Sequence, residues 1–453
     1  MDVLIEGFDP DAVALARLLA GEGNAVRLAS VEPAPAATRE LRELGIDVQP
    51  GADLDADPGE AEIAYLDVWT PEVAPRVAKL RARGARLSCL GDLVLERWRG
   101  RSIGITGTAG KTTTTALVAA ILRHGGTDIA VSEGAQAGNL WPTADLFECP
   151  GFRADGGGTT LLVELTSSHL AFMRSSPTLA AVISFWPDHL ELHGSLDRYR
   201  AAKEQIVRHQ RPGDSVVVNA DDAAAGFADA TPARVWQRSL ADRVECGAYL
   251  DQKRGVVVSD GTIETGLGHI EGKAAHRGNV VAAAAIATAA GADPSTIGPG
   301  LDSAVSPPWR AQSFGTLCCV PVLDDGMAAT LSKGAATLAR YPAGSIVLIA
   351  GGLDDAGGGI VHATPAELAL LEQACDVVAR VARVVVLFGE ASPRLAPLLA
   401  RRQVELVTTS DLEAAVTAAG RHAAGATAVV FAPLFPVALG DRERFGALVR
   451  RSG

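Results

Sequence analysis

With 453 residues, 48% of them apolar and 21% charged, the chain is too long for one ordinary core and implies about three domains. This composition excludes wholesale disorder and a coiled coil. A formal net charge of −12 and a pI near 5.3 exclude a general nucleic-acid-binding surface, which needs a basic stripe, and fit an acidic cytosolic enzyme. The six cysteines, Cys89, Cys149, Cys246, Cys318, Cys319 and Cys375, show no C-x-x-C spacing and predict free thiols instead of a zinc site or a disulfide framework.

Met1-Asp-Val-Leu-Ile-Glu-Gly lacks the basic and apolar regions of a signal peptide, so a cytoplasmic location is expected. Residues 2–6 read as a strand, Gly7-Phe-Asp-Pro as a turn, 11–21 as an amphipathic helix and 25–28 as a second strand, the βαβ opening of a Rossmann-like unit. The alternation continues through a strand at 63–66, a helix at 71–83 and a strand at 86–90. A first domain is expected over residues 1–100.

Gly104-Ile-Thr-Gly-Thr-Ala-Gly-Lys-Thr-Thr-Thr-Thr115 carries the most chemistry: a glycine-rich turn, a lysine, then hydroxyls opening a helix. Residues 103–106 read as the end of a buried strand and 116–122 as the helix body. Backbone N–H groups from Gly107, Thr108, Ala109 and Gly110 into the helix start at Thr113 then converge on a phosphate. Lys111 adds charge near the terminal phosphates, and the Thr112 hydroxyl suits the accompanying magnesium. The strict G-x-x-x-x-G-K-[ST] pattern fails by one residue, because Ile105 stands where it needs glycine.

A strand at 160–164 ends in Glu164, where a magnesium carboxylate belongs beside a phosphate loop. Strands at 180–184 and 215–219 and a helix at 279–290 continue this central domain, with residues 156–158 a glycine loop. The alanine-rich run 280–290 is too short to cross a bilayer, so no membrane partner is expected. In Trp186-Pro-Asp-His-Leu-Glu-Leu-His193 the two histidines, His189 and His193, are four apart and could share a helical face. Two imidazoles alone make an incomplete metal site. Lys203, taken alone, reads as a surface lysine. Glycines and prolines between 291 and 300, then Ser306-Pro-Pro-Trp, mark a boundary, giving a central domain over 101–301. Over 302–453, strands at 345–350, 384–388 and 428–431 alternate with helices at 365–380 and 412–424, a doubly wound α/β domain. The predicted fold class is α/β in three domains: N-terminal Rossmann-like, central P-loop-type and C-terminal doubly wound.

These motifs resemble the Mur ligase family, most nearly its D-glutamate-adding members, over nearly the whole chain and most strongly from Arg101 to Arg310. Thr106-Gly-Thr-Ala-Gly-Lys-Thr112 is similar to the family loop T-G-T-N-G-K-T, with Ala109 for the asparagine. Glu164-Leu-Thr-Ser-Ser-His-Leu170 is similar to E-L-S-S-F-Q-L, Asp188-His-Leu-Glu-Leu-His193 to D-H-L-D-R-H, and Val218-Asn-Ala-Asp-Asp222 carries N-A-D-D. Ala202-Lys203 matches the A-K whose lysine is carbamylated in the family. The resemblance implies an ATP-dependent amide ligase of peptidoglycan precursor synthesis, with two alternatives open: the same chemistry on a different acceptor outside cell-wall synthesis, and a nucleotide-binding homologue that has lost ligation. It also implies a magnesium site at Thr112, Glu164, His189 and carbamylated Lys203, with Lys111, His189 and Lys203 as catalytic residues. Asn279 matches the second asparagine of an adenine site whose first is replaced by His276. Arg310, in Trp309-Arg-Ala-Gln312, and Asp325 are the implied nucleotide contacts of the third domain. The implied partners are small molecules, a UDP-sugar-peptide-like carboxylate and an amino acid or amine, handled by a monomer.

The chain departs from the family where substrates are held. Gly326, Met327, Ala329 and Thr330 replace serine, lysine, threonine and asparagine of D-S-K-A-T-N. Gly351-Gly-Leu-Asp-Asp355 has acids where G-G-x-x-K supplies a lysine, and Ala432-Pro-Leu-Phe-Pro-Val437 lacks the serines of S-P-A-C-A-S. A carboxylate substrate loses cations and donors by these exchanges, which disfavours D-glutamate. Asp354 or Asp355 instead suits a neutral or cationic amine, with solvated loop aspartates the plain alternative. In the first domain, Gly7-Phe-Asp-Pro-Asp-Ala is thin in glycine, and Thr70-Pro-Glu-Val-Ala-Pro75 stands for a second family loop. Both loops cradle uridine diphosphate in the family, and the backbone here approaches a pyrophosphate less closely.

Overall fold

Three sheets organise the chain, two within a unit formed by Met1–Val305 and one within a unit formed by Ser306–Gly453. The computed structural model describes residues 1–30, 35–133, 138–152, 158–269, 277–310, 312–353, 365–437 and 439–452. Residues 156 and 157 of the glycine loop, His276, Asp354 and Asp355 lie outside the described residues.

The first sheet is wholly parallel, in the order Asp47–Pro50, Ala25–Ser30, Asp2–Glu6, Ile63–Tyr65, Arg86–Ser88. Val3, Leu4 and Ile5 are all buried, as a strand covered on both faces requires. The helix Pro10–Gly21 starts where predicted. The helix predicted over 71–83 begins only at Pro75 and runs Pro75–Ala82. Proline at its first position holds the preceding Ala74 extended, with φ −59° and ψ 141°. Helices Pro35–Glu43 and Leu90–Arg97 and the strand Asp47–Pro50 were not anticipated.

The second sheet has nine strands. Ser102–Thr106 lies between Thr160–Glu164 and Leu179–Val182, both parallel to it. The register sets Glu164 opposite Ile105, so the acid stands beside the glycine-rich turn that follows Thr106. Ser215–Asn219, Arg234–Ser239 and Cys246–Asp251 extend the parallel run, and Gly255–Asp260 and Glu264–Gly268 close it as antiparallel strands. The alanine run lies in the helix Arg277–Ala289, with Val280 to Ala287 all buried against Ile105, Val118 and Val217. Small side chains let this helix lie close on the sheet. Val3, Leu15 and Leu28 of the first sheet's layer share another cluster with Leu146, Tyr199 and Val218, so the first two sheets pack through one core.

The glycine- and proline-rich residues read as part of a boundary form a helix, Pro294–Ser303. Asp293 caps it by accepting from Ser295 N, and Pro294 occupies its first position, so the Asp-Pro pair starts a helix instead of ending one. The division between the units falls at Ser306, the first residue of Ser-Pro-Pro-Trp.

In the second unit the sheet order is Gln312–Leu317, Val320–Asp324, Ala428–Leu434, Ile346–Gly351, Ala382–Phe388, Glu405–Thr408. Among the described residues only the edge pair Gln312–Leu317 and Val320–Asp324 is antiparallel in this sheet. All six cysteines are free thiols. Among the described residues no helix is long and apolar enough to cross a membrane.

Gly300 faces the backbone of Ile121, and a Cβ there would lie 2.6 Å from Ile121 Cα. Gly300→Ala therefore forces the helices Pro294–Ser303 and Lys111–His124 apart and costs about 1–3 kcal/mol. A urea titration should show a lowered midpoint with the slope unchanged; an unchanged midpoint contradicts the tight crossing.

Candidate functional site

The predicted phosphate loop forms a strand-to-helix turn. The buried strand Ser102–Thr106 leads into the helix Lys111–His124, whose N-cap is Gly110 at φ 85°, a left-handed conformation that favours glycine. No side chain caps this helix, so its first N–H groups and its dipole are open to an anion. Ser184 latches the turn: its carbonyl accepts from Thr108 N at 3.0 Å. Its hydroxyl accepts from Ala109 N at 3.1 Å and donates to Ala109 O at 2.9 Å. Thr108 Oγ1 donates to Trp186 O at 3.1 Å and lies 3.0 Å from the Tyr199 hydroxyl. Asn279 lies against Gly110, where its Oδ1 fills the space a Cβ would need.

Thr112 and Glu164 meet as expected. Both are buried, and Thr112 Oγ1 donates to Glu164 Oε2 at 2.6 Å. The same oxygen accepts from Leu140 N at 3.2 Å. Thr113 is half-buried in the same turn. Lys203 overturns its default reading as a surface lysine: only 1% of it is exposed. Its Nζ donates to Gly107 O at 3.1 Å and to Thr106 Oγ1 at 3.3 Å, and lies 4.9 Å from the centre of the Tyr199 ring. Lys111 Nζ donates to the same Gly107 carbonyl at 3.1 Å, so two ammonium groups share one oxygen.

The two histidines do not act as a pair. His189 caps the short helix Leu190–His193 at φ 52°, with Nε2 3.5 Å from Asp188 Oδ2. His193 is buried, its Nδ1 3.1 Å from Glu72 Oε2. Burial pushes the Glu72 carboxyl up, but the His193 hydrogen bond and the charges of Arg198 and His193 outweigh it and hold it below the ordinary range. Among the described residues no three His, Cys, Asp or Glu side chains converge on a metal position. The oxygen donors brought together are Thr112 and Glu164.

Ser184, Tyr199 and Asn139, whose Oδ1 is 3.4 Å from Thr112 Oγ1, escaped the sequence reading. Tyr199 was findable, since it precedes Lys203 by four residues and so shares its helical face. Ser184 and Asn139 carry no local signal, because strand pairing and a distant loop bring them in.

In the second unit, Arg310 donates to Pro308 O at 3.1 Å. Asp325 is buried, lies 3.4 Å from Arg340 Nη2 and donates its N–H to Phe431 O. The neighbouring Asp324 is fully buried. Burial, with the charge of Asp325, raises its carboxyl to about 7 against a hydrogen bond from Gly326. Met327 stands 3.4 Å by its sulfur from Arg442 Nη1, so a cation from the last helix accompanies the position where the sequence showed a lysine missing.

Residues 105–287 match the family model described as the Mur ligase middle domain. The chain is 33% identical over 448 residues to the UDP-N-acetylmuramoylalanine–D-glutamate ligase of Frankia casuarinae, covering 96% of this chain and 89% of that protein. It is 30% identical to the enzyme of the same name from Symbiobacterium thermophilum, over 95% and 92% of the two chains. Among solved structures it resembles the pseudomurein peptide ligase type C of Methanothermus fervidus, with a TM-score of 0.61 at 15% identity over 100% of each chain.

His169 is buried in the same unit, and burial, then the charge of Lys111, pushes its imidazole down to about 4. The unfolded chain therefore binds the extra proton between about pH 6.5 and pH 4. Stability rises with pH across that window, and roughly 3 kcal/mol is lost on acidification through it. Asp67 and Asp324, raised to about 6 and about 7, pull the other way, so the difference between wild type and His169→Asn isolates the effect. Urea midpoints from pH 7 to pH 4 should fall more steeply for the wild type; parallel curves contradict a neutral buried His169.

Proposed function

The chain belongs to the Mur ligase family, whose members are ATP-dependent, amide-forming acid–amino-acid ligases, and from that premise we propose an acyl-phosphate ligase working on small molecules. Its carboxylate substrate is of the UDP-N-acetylmuramoyl-L-alanine kind and is extended by one amino acid in peptidoglycan precursor synthesis. A cytoplasmic monomer divided at 1–100, 101–301 and 302–453 accompanies this reading. The observation that carries it is the uncapped start of the helix Lys111–His124 with Thr112 and Glu164 in contact beside it.

The loop from Gly107 to Thr113 binds the nucleotide phosphates through backbone N–H groups, and Lys111 follows the charge that develops on the transferring phosphoryl group. Asn279, packed on Gly110, is proposed for the adenine side, and Arg310 and Asp325 as nucleotide contacts by resemblance. Magnesium suits this donor set: Thr112 and Glu164 offer hard oxygens, and His189 and a carbamylated Lys203 complete the proposed ligands. Bound there, it would neutralise phosphate charge. Carbamylation has a physical motive. Two ammonium groups on the Gly107 carbonyl repel each other, and turning Lys203 into a carbamate exchanges that repulsion for an oxygen donor. The carboxylate then attacks the γ-phosphate, releasing ADP; the amine attacks the acyl carbonyl, and phosphate leaves. No side-chain nucleophile is needed.

A second reading, the same chemistry on a carboxylate borne by a different carrier, is favoured by Asp9. Its carboxylate caps the first unit's leading helix, where a diphosphate would otherwise bind.

ADP release, measured with UDP-N-acetylmuramoyl-L-alanine present and absent against a panel of amino acids, should require both a carboxylate and an amine. Lys111→Ala should lower it by roughly 10²-fold or more. ATP hydrolysis indifferent to both substrates, or near-normal turnover by Lys111→Ala, contradicts the assignment.

A further inference from the structure

Arg442 stands in the first turn of the last helix, Leu439–Ser452, and reaches the turn that follows the strand Val320–Asp324. That strand pairs in parallel with Ala428–Leu434, so the turn lies at the carboxyl ends of the strands, where open α/β sheets receive ligands. The guanidinium is half-buried and poorly satisfied. Its Nη1 donates at 3.4 Å to the sulfur of Met327, a weak acceptor. Its Nε is closed off from solvent and has no hydrogen-bond partner. Burial pushes the guanidinium down from its ordinary range, with the charge of Asp324 opposing. An arginine in such a place is normally held by charged or carbonyl oxygens, and the planar fork matches a carboxylate.

The neighbouring acids do not fill that role. Asp324 accepts from Gly326 N at 2.7 Å through Oδ1, and its Oδ2 is buried without a partner. Asp325 lies 3.4 Å from Arg340. Two acids at the same turn would repel the several charges of a polyphosphate, whereas a carboxylate brings only one.

The sequence departures at this turn fit the same arrangement. Gly326 and Met327 stand where D-S-K-A-T-N has serine and lysine. A Cβ on Gly326 would lie 3.0 Å from Asp324 Oδ1 and 3.7 Å from Arg442 Cγ, so glycine leaves room for the arginine stem. A lysine following the path of Met327 would set its ammonium against the guanidinium, two like charges in a half-buried place. The cation is thus supplied by the last helix instead of by the turn.

We propose that Arg442 receives a carboxylate of the incoming amino acid. The proposal rests on the ligase reading and adds to it the residue that tells an amino acid from its amide. A carboxylate oxygen displaces the Met327 sulfur from Nη1, because a charge-assisted hydrogen bond is stronger than one to a thioether. The loss of lysine at position 327 then does not by itself exclude an acidic amino acid.

The test is isothermal titration of the full chain with D-glutamate and with its diamide, D-glutamine amide, magnesium and a non-hydrolysable ATP analogue being present throughout. Both probes carry the same amine, but only the first carries carboxylates. Arg442→Gln keeps an N–H for Met327 and removes a half-buried charge, so it should fold; Arg442→Lys keeps the charge without the planar fork. We expect saturable binding of D-glutamate, about tenfold weaker or more in Arg442→Gln and less weakened in Arg442→Lys. The diamide should bind weakly, and alike, in all three chains, and affinity for the ATP analogue, titrated separately, should not change. Absence of D-glutamate binding, a diamide bound as tightly by the wild type, or wild-type affinity for D-glutamate in Arg442→Gln overturns the proposal. So does an equal loss for both probes, which marks a structural role, or a loss confined to the ATP analogue. D-glutamate binding that behaves as expected, with no ADP release from any carboxylate substrate, would instead count against the ligase reading alone.

Discussion

The start of the helix Lys111–His124 is left without a cap, and the first unit is arranged to keep it so. Gly110 in a left-handed conformation turns the chain so that the first N–H groups point outward. Ser184 and Tyr199 secure the turn from behind. The parallel register lifts Glu164 to the same level as Ile105, and Lys203 reaches the Gly107 carbonyl. None of these groups binds a phosphate by itself. Together they surround the turn with fixed donors and one carboxylate in a buried setting, where electrostatic interactions are strong and reorganisation is small.

The leading helix of the same unit shows the reverse arrangement. Its start is closed by Asp9, its first position lacks an N–H, and acids crowd its mouth. Two helix starts of similar topology thus differ in sign: one offers donors to an anion, the other has used its donors and offers acceptors. The second unit carries a parallel change, in which Met327 lies against Arg442 and Asp324 is buried beside Asp325.

Much of this was legible in the sequence where local pattern and chemistry coincide. The apolar run before Gly104, the glycines, Lys111 and the hydroxyls specify a strand, a turn and a helix start by themselves, and Glu164 was found because it ends an apolar strand. Lys203 was not legible from its own surroundings, since burial of a lysine depends on the loop that comes to meet it; only resemblance marked it. The strands Arg234–Ser239, Cys246–Asp251, Gly255–Asp260 and Glu264–Gly268 were missed because their polar residues mask the period. Residues 291–300 misled for the opposite reason: glycine and proline usually punctuate, but here Asp293-Pro294 caps a helix and Gly300 permits close packing on Ile121. The acidic mouth of the leading helix was half legible, as a turn poor in glycine, but its wall of Trp141 and His169 arrives from the second sheet.

Oxygen tracing tests the central claim most directly. With both carboxylate oxygens of a turnover-supporting substrate labelled with ¹⁸O, attack on the γ-phosphate places one label in the bridge of the acyl phosphate. Amide formation then delivers that label to inorganic phosphate. The account predicts one ¹⁸O in each phosphate released during amide formation; phosphate that draws its new oxygen from water would contradict it.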